Sequence, residues 1–155
     1  MYGWLVFIHI VGVVGFLFSH GISTAMALRL QHERNPDRVR VVLQISASAT
    51  GLLYLSMALL LLGGIWAGFK GSWWDQGWIG VSLGLFVANM VFMWAVASPY
   101  YKRIREVMTI DETGGGSVTA AELDVMLTSS RPKALLLVGA LSILFITYLM
   151  VQKPF

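Results

Sequence analysis

Apolar and polar residues do not alternate along this chain; they separate into blocks. Four nearly uncharged apolar runs, at about 5–28, 41–64, 79–100 and 134–151, are divided by shorter polar connections. Each has the length, about 18–24 residues, that a helix needs to cross a hydrocarbon core. Apolar all round, they read as buried in lipid or protein on every face, not as amphipathic surface helices or alternating strands. The pattern predicts an all-α fold: an integral membrane four-helix bundle, one transmembrane domain over 1–155, with a short outer loop and a cytoplasmic surface helix. The first run lacks a basic n-region and an Ala-x-Ala site and exceeds a usual signal h-region, so it is expected to be a retained span.

Breakers and small residues refine this outline. Pro36 is expected to end or follow an extension of helix 1, and Pro99 to mark where helix 3 leaves the bilayer. Gly80 and Gly84 on helix 3, with Ala47 and Gly51 on helix 2, repeat at four-residue spacing and suggest close helix approach. The connection before the last run holds Gly114-Gly115-Gly116 and then Thr119-Ala120-Ala121-Glu122. Set against a calcium-binding loop beginning at Asp111, Gly116 and Glu122 fall in place, but Thr113 and Gly115 stand where side-chain oxygens are needed. A glycine linker and a short helix with a Thr119–Glu122 capping box fit better, with Leu123, Val125, Met126 and Leu127 resting on the membrane or the bundle.

Composition agrees with the blocks. Hydrophobic residues make up 57% and charged residues 12%, against about 25% charge in a soluble domain. Soluble and disordered classes are thereby excluded, and the lipid bilayer becomes the main partner. There is no cysteine, which removes disulfides, thiolate metal sites and iron–sulfur clusters. The net charge of +3 and pI near 9.5 need no nucleic acid to explain them. Arg29, Arg34, Arg38, Arg40, Lys102, Arg103, Arg105, Arg131 and Lys133 lie on one side of the runs, and only Lys70 and Lys153 on the other. That asymmetry predicts that both termini and the Lys70–Gly77 loop lie outside and the two longer connections in the cytoplasm. Trp66, Trp73, Trp74 and Trp78, with Tyr2, Trp4 and Phe155, form an expected aromatic belt at the outer interface; Tyr100 and Tyr101 mark the inner one.

Chemistry centres on His9 and His20 in the first run. Eleven residues at ~100° bring both imidazoles to one side of a helix, roughly 16 Å apart. An ionisable ring at membrane depth usually faces a bundle interior, a metal or a cofactor. Histidine is the common axial ligand of haem iron, with histidine or methionine opposite. By depth, Met57 on helix 2 is the candidate opposite His9, and Met90 and Met93 on helix 3 opposite His20. Gly12 is expected to leave open space beside His9. Haem b is the first cofactor reading; copper held by His9, His20 and the methionines is the alternative, and histidines that only hydrogen-bond within an accessory or assembly subunit are a third. With no histidine on the other helices, a second imidazole would need a homo-oligomer; His32 sits in a charged connection and reads as a surface residue. Asn89, the amide at mid-membrane, is expected to hydrogen-bond between helices. No hydrolase, nucleotide or zinc-protease pattern occurs, and the last three runs hold no charge for a proton-coupled transporter.

Trp4-Leu5-Val6-Phe7-Ile8-His9-Ile10, Gly12-Val13-Val14-Gly15-Phe16, Ala97-Ser98-Pro99-Tyr100-Tyr101-Lys102-Arg103 and Tyr148-Leu149-Met150-Val151-Gln152-Lys153-Pro154 together carry a resemblance. Over nearly its whole length the chain resembles a family known as bacterial predicted integral membrane proteins with four spans. That family is distantly similar to the membrane domain of copper-resistance protein D. It is also distantly similar to the membrane-embedded protoporphyrinogen oxidase, whose first-helix histidine falls at His9. The resemblance implies a four-helix haem b or copper context. The oxidase also uses a lysine within the membrane, and none of the four runs here carries one.

Overall fold

A computed structural model of the chain describes residues 1–112 and 120–154. Among these residues the helices are α1 (Tyr2–Leu30), α2 (Pro36–Gly71), α3 (Gly77–Glu112), α4 (Ala120–Leu127) and α5 (Arg131–Gln152). The apolar runs lie in α1, α2, α3 and α5, each long and apolar enough to cross a membrane. The molecule is an all-α membrane helical bundle in which those four run up and down. One end carries both termini and the tryptophan-rich 72–76 turn. The other carries the basic 31–35 turn and α4. These are called the tryptophan end and the basic end.

The helices outrun the apolar blocks. At 36 residues, α2 and α3 each extend for roughly 54 Å against a ~30 Å hydrocarbon core. Pro36 does not close helix 1; it opens α2 at its first position. Asn35 stands in extended backbone before it, and its side chain accepts from the N–H groups of Asp37 and Arg38 at 2.9 and 3.3 Å. The fixed φ of proline and the side-chain cap together start a helix there. In the same turn, Glu33 accepts from the N–H groups of Asn35 and Arg34, and the Asn35 bond, foremost, holds its carboxyl below the usual range.

Pro99 lies inside α3, which continues beyond it to Glu112. Proline forfeits one backbone bond, but the turns beyond it are held by burial. Tyr100, Ile104 and Met108 pack with Leu30, Val39, Val42, Leu43 and Leu127 into a core beneath the apolar spans. Leu127 on α4 is completely buried there, whereas Val125 is 79% exposed. The short helix thus docks on the helix extensions by one edge. Arg34 clamps it through a salt bridge to Asp124, and Gln31 Nε2 donates to the Ser129 carbonyl at 2.6 Å. The glycine linker, the calcium-loop positions 113–119 and the Thr119 half of the capping box lie outside the described residues.

Across the membrane the helices form two pairs. α1 packs on α2 most extensively and α3 on α5 next, while the pairs touch each other sparingly. The α1–α2 contact is made by glycines the spacing argument passed over. A Cβ on Gly12 would lie 2.3 Å from Leu60 N, one on Gly15 2.4 Å from Ser56 Oγ, and one on Gly63 2.6 Å from His9 N. Gly51, Gly80 and Gly84 have nothing within 4 Å of theirs. Those positions therefore do not serve the packing expected of them. The space left between the pairs is where the candidate sites lie.

Candidate functional site

Two cavities separate the helix pairs, and each contains one of the membrane histidines. The first, about 410 Å³, opens at the tryptophan end among α1, α2, α3 and α5. Its walls are apolar, with Val13, Phe16, Leu83, Phe86 and Ile146 facing inward. Its roof is aromatic. Tyr2 meets Trp73 edge-on at 5.8 Å, Trp73 meets Trp78 at 5.9 Å, and Lys153 places Nζ 4.1 Å from the Trp73 ring centre. Lys153 reaches that position from the left-handed cap of α5, at φ 46°. The expected belt is thus divided. Trp4 and Trp66 face outward at 70% and 54% exposure, whereas Trp78, at 4%, is folded into the roof.

His9 is part of the cavity wall. Its Nδ1 lies 2.7 Å from the Leu60 carbonyl of α2. A carbonyl only accepts, so the bond places a proton on Nδ1 and leaves Nε2 as the nitrogen not engaged by α2. Gly63 and Gly64 make this fit possible: a Cβ on Gly64 would lie 2.7 Å from His9 Nδ1. Gly12, by contrast, does not open room beside the imidazole. Its missing Cβ is the space through which the backbone of Leu59 and Leu60 passes. Helix approach consumed what the sequence assigned to a ligand.

The second cavity, about 1000 Å³, lies toward the basic end. His20 is in its wall, stacked on Phe16 at 5.8 Å and 3° between planes, with Nε2 3.4 Å from where a Gly139 Cβ would stand. Phe16 therefore separates the two histidines: it walls the first cavity and stacks on the histidine of the second. Both rings face into the bundle, but α2 receives His9 and α5 meets His20. Among the described residues no three histidine, cysteine, aspartate or glutamate side chains gather at one point, so each imidazole is a separate donor.

The methionine candidates fare unequally. Met93 lines the cavity of His20. Met57 and Met90 line neither cavity. The methionine that shares the first cavity with His9 is Met150 on α5, which depth counting from helix 2 did not reach. Two further residues escaped the sequence reading. Ser82 lines the first cavity with its Oγ buried and unpartnered, and Lys153 closes the cavity mouth. Asn89 does not make the expected interhelical bond through its carbonyl: it is buried at 7% exposure and Oδ1 has no partner.

Against known proteins, the profile of a family described as predicted integral membrane protein (DUF2269) matches residues 4–154. No curated protein and no solved structure matches the chain.

Proposed function

The chain belongs to the DUF2269 family of predicted integral membrane proteins, and from that premise we propose that it is a haem b-binding electron-transfer protein of the bacterial inner membrane. The observation that carries the reading is the bond from His9 Nδ1 to the Leu60 carbonyl at 2.7 Å. It orients the ring, as backbone carbonyls do behind metal-bound histidines. The ring belongs to a cavity within the range of cofactor sites, about 300–1,000 Å³. Haem held there would supply a one-electron iron couple.

The chain supplies the rest. Gly63 and Gly64 let α2 come close enough for Leu60 to orient His9. Tyr2, Trp73 and Trp78 give the chamber an aromatic rim at the tryptophan end. Lys153 at its mouth offers a cation to a ligand carboxylate. Met150 is the thioether of this cavity and the candidate for the face opposite His9.

The test is the absorption spectrum of protein purified from haem-replete cells. A Soret band is expected, lost in His9→Ala while helical circular dichroism persists. Met150→Leu should retain the band and shift its spin state, and Met57→Leu should leave it unchanged. A wild-type protein without a Soret band, loaded or reconstituted, overturns the reading. Copper found by metal analysis would then favour the metal-handling alternative, and neither group the accessory-subunit one.

A further inference from the structure

The cavity at the basic end plays no part in the haem reading, and its chemistry is of another kind. Hydroxyl residues from both helices of the first pair line it, Ser23 and Thr24 on α1 and Ser46, Thr50 and Tyr54 on α2, the last two at exposed positions. Its mouth carries Lys102 and Arg105 from α3. The first turn of α5 also borders it, through Pro132 and Leu135. That turn holds no acidic residue; Pro132 has no N–H and the Arg131 N–H donates to Ser129 Oγ, so what it offers beside the two cations is the Lys133 N–H and the positive end of the helix dipole. The one carboxylate in the lining is Glu106, 3.7 Å from Lys102 in a pair whose side chains are 78% and 60% exposed. Such a pair is loosely held, so Lys102 can turn from it to a bound anion.

A small inorganic anion would satisfy the mouth and leave most of a cavity of about 1000 Å³, apolar over the larger part of its lining, unfilled. The ligand that uses both parts bears an anion, further oxygen groups, and an apolar portion to lie against Leu53, Leu136 and Ala97. Basic clefts between transmembrane helices recognise anionic lipid headgroups on this principle. We propose that this cavity is a binding site for an anionic phospholipid, with the phosphodiester at Lys102, Arg105 and the α5 N-terminus and the headgroup or glycerol oxygens on Ser46 and Thr50. The assignment does not rest on haem, and its readout is independent of the Soret band.

The test compares retention of phosphatidylglycerol, phosphatidylcholine and inorganic phosphate by the full chain in detergent, using native mass spectrometry and thermal melting. One phosphatidylglycerol per chain should bind at least about tenfold more tightly than phosphatidylcholine. Lys102→Gln with Arg105→Gln should remove that preference. Ser46→Ala with Thr50→Val, which keeps every charge, should weaken binding several-fold. Arg103→Gln, which removes a charge from the same helix outside the cavity lining, should leave it unchanged, where Lys102→Gln or Arg105→Gln alone should weaken it. Equal retention of the two lipids overturns the proposal. So does an Arg103→Gln loss as large as that of Lys102→Gln or Arg105→Gln alone, or unchanged binding in the hydroxyl variant. Stabilisation by millimolar phosphate equal to that by lipid would make the free anion the ligand and overturn the lipid assignment.

Discussion

At position 12 a methyl group would stand 2.3 Å from Leu60 N and 2.7 Å from Leu60 Cα. Both are backbone atoms, which cannot swing aside as a side chain would. Gly12→Ala should therefore push α1 and α2 apart at the level of His9, an overpacking cost of about 1–3 kcal/mol, and lower the melting temperature in detergent. Gly84→Ala meets nothing within 4 Å and should be neutral or slightly stabilising, since alanine favours helix by about 1 kcal/mol over glycine. Equal melting temperatures for the two variants would contradict the crossing described. The same few atoms explain why His9 stood out in the sequence and its neighbours did not. An imidazole in an apolar run is conspicuous, whereas the Leu60 carbonyl that orients it belongs to no residue type, and Met150 looks like any other core methionine until α5 is placed.

α4 shows the same division among elements. The apolar cluster from 123 to 127 predicted a surface helix, and one is present, but sequence could not choose between membrane and bundle as its support. Leu127 inside the core with Leu30, Val39 and Ile104 decides for the bundle. Leu127→Ala should cost about 2–5 kcal/mol of that docking, read as at least about tenfold faster amide exchange through α4. Val125→Ala, at a 79% exposed position, should change nothing measurable. Identical exchange in the two variants would mean that α4 is not held by this contact. The extensions of α2 and α3 that build the core were hidden for a related reason. Charge ends a membrane-spanning run but not a helix, and Asn35-Pro36 is a start signal that resembles a stop when the preceding helix is the one being followed.

For the whole molecule, nine basic residues at one end and two at the other predict the direction of insertion. A reporter active only in the periplasm should work when fused after Phe155 and fail within 114–116; a cytoplasmic reporter should give the reverse. The opposite pattern would invert the orientation and put the His9 cavity on the cytoplasmic side. The division into α1–α2 and α3–α5 pairs matters here as much as topology. Sparse contact between the pairs leaves one cavity near each end, the aromatic one near the termini and the polar one near the basic turn, with Phe16 between the two histidines.

Sequence by itself determined that the chain is helical, that it crosses a membrane four times, and where its unusual imidazoles lie. These follow from transfer free energies, which sum along a run of residues irrespective of what packs on it. Tertiary structure alone decided which glycines are used, that Gly12 admits a helix and not a ligand, and that Met150 in place of Met57 shares the chamber of His9. It also decided that hydroxyl residues scattered over α1 and α2 line one cavity with Lys102 and Arg105. Such assignments depend on the relative rotation and register of helices that are apolar on every face. Without a polar side to orient them, only the mutual fit of their side chains and backbones fixes those angles.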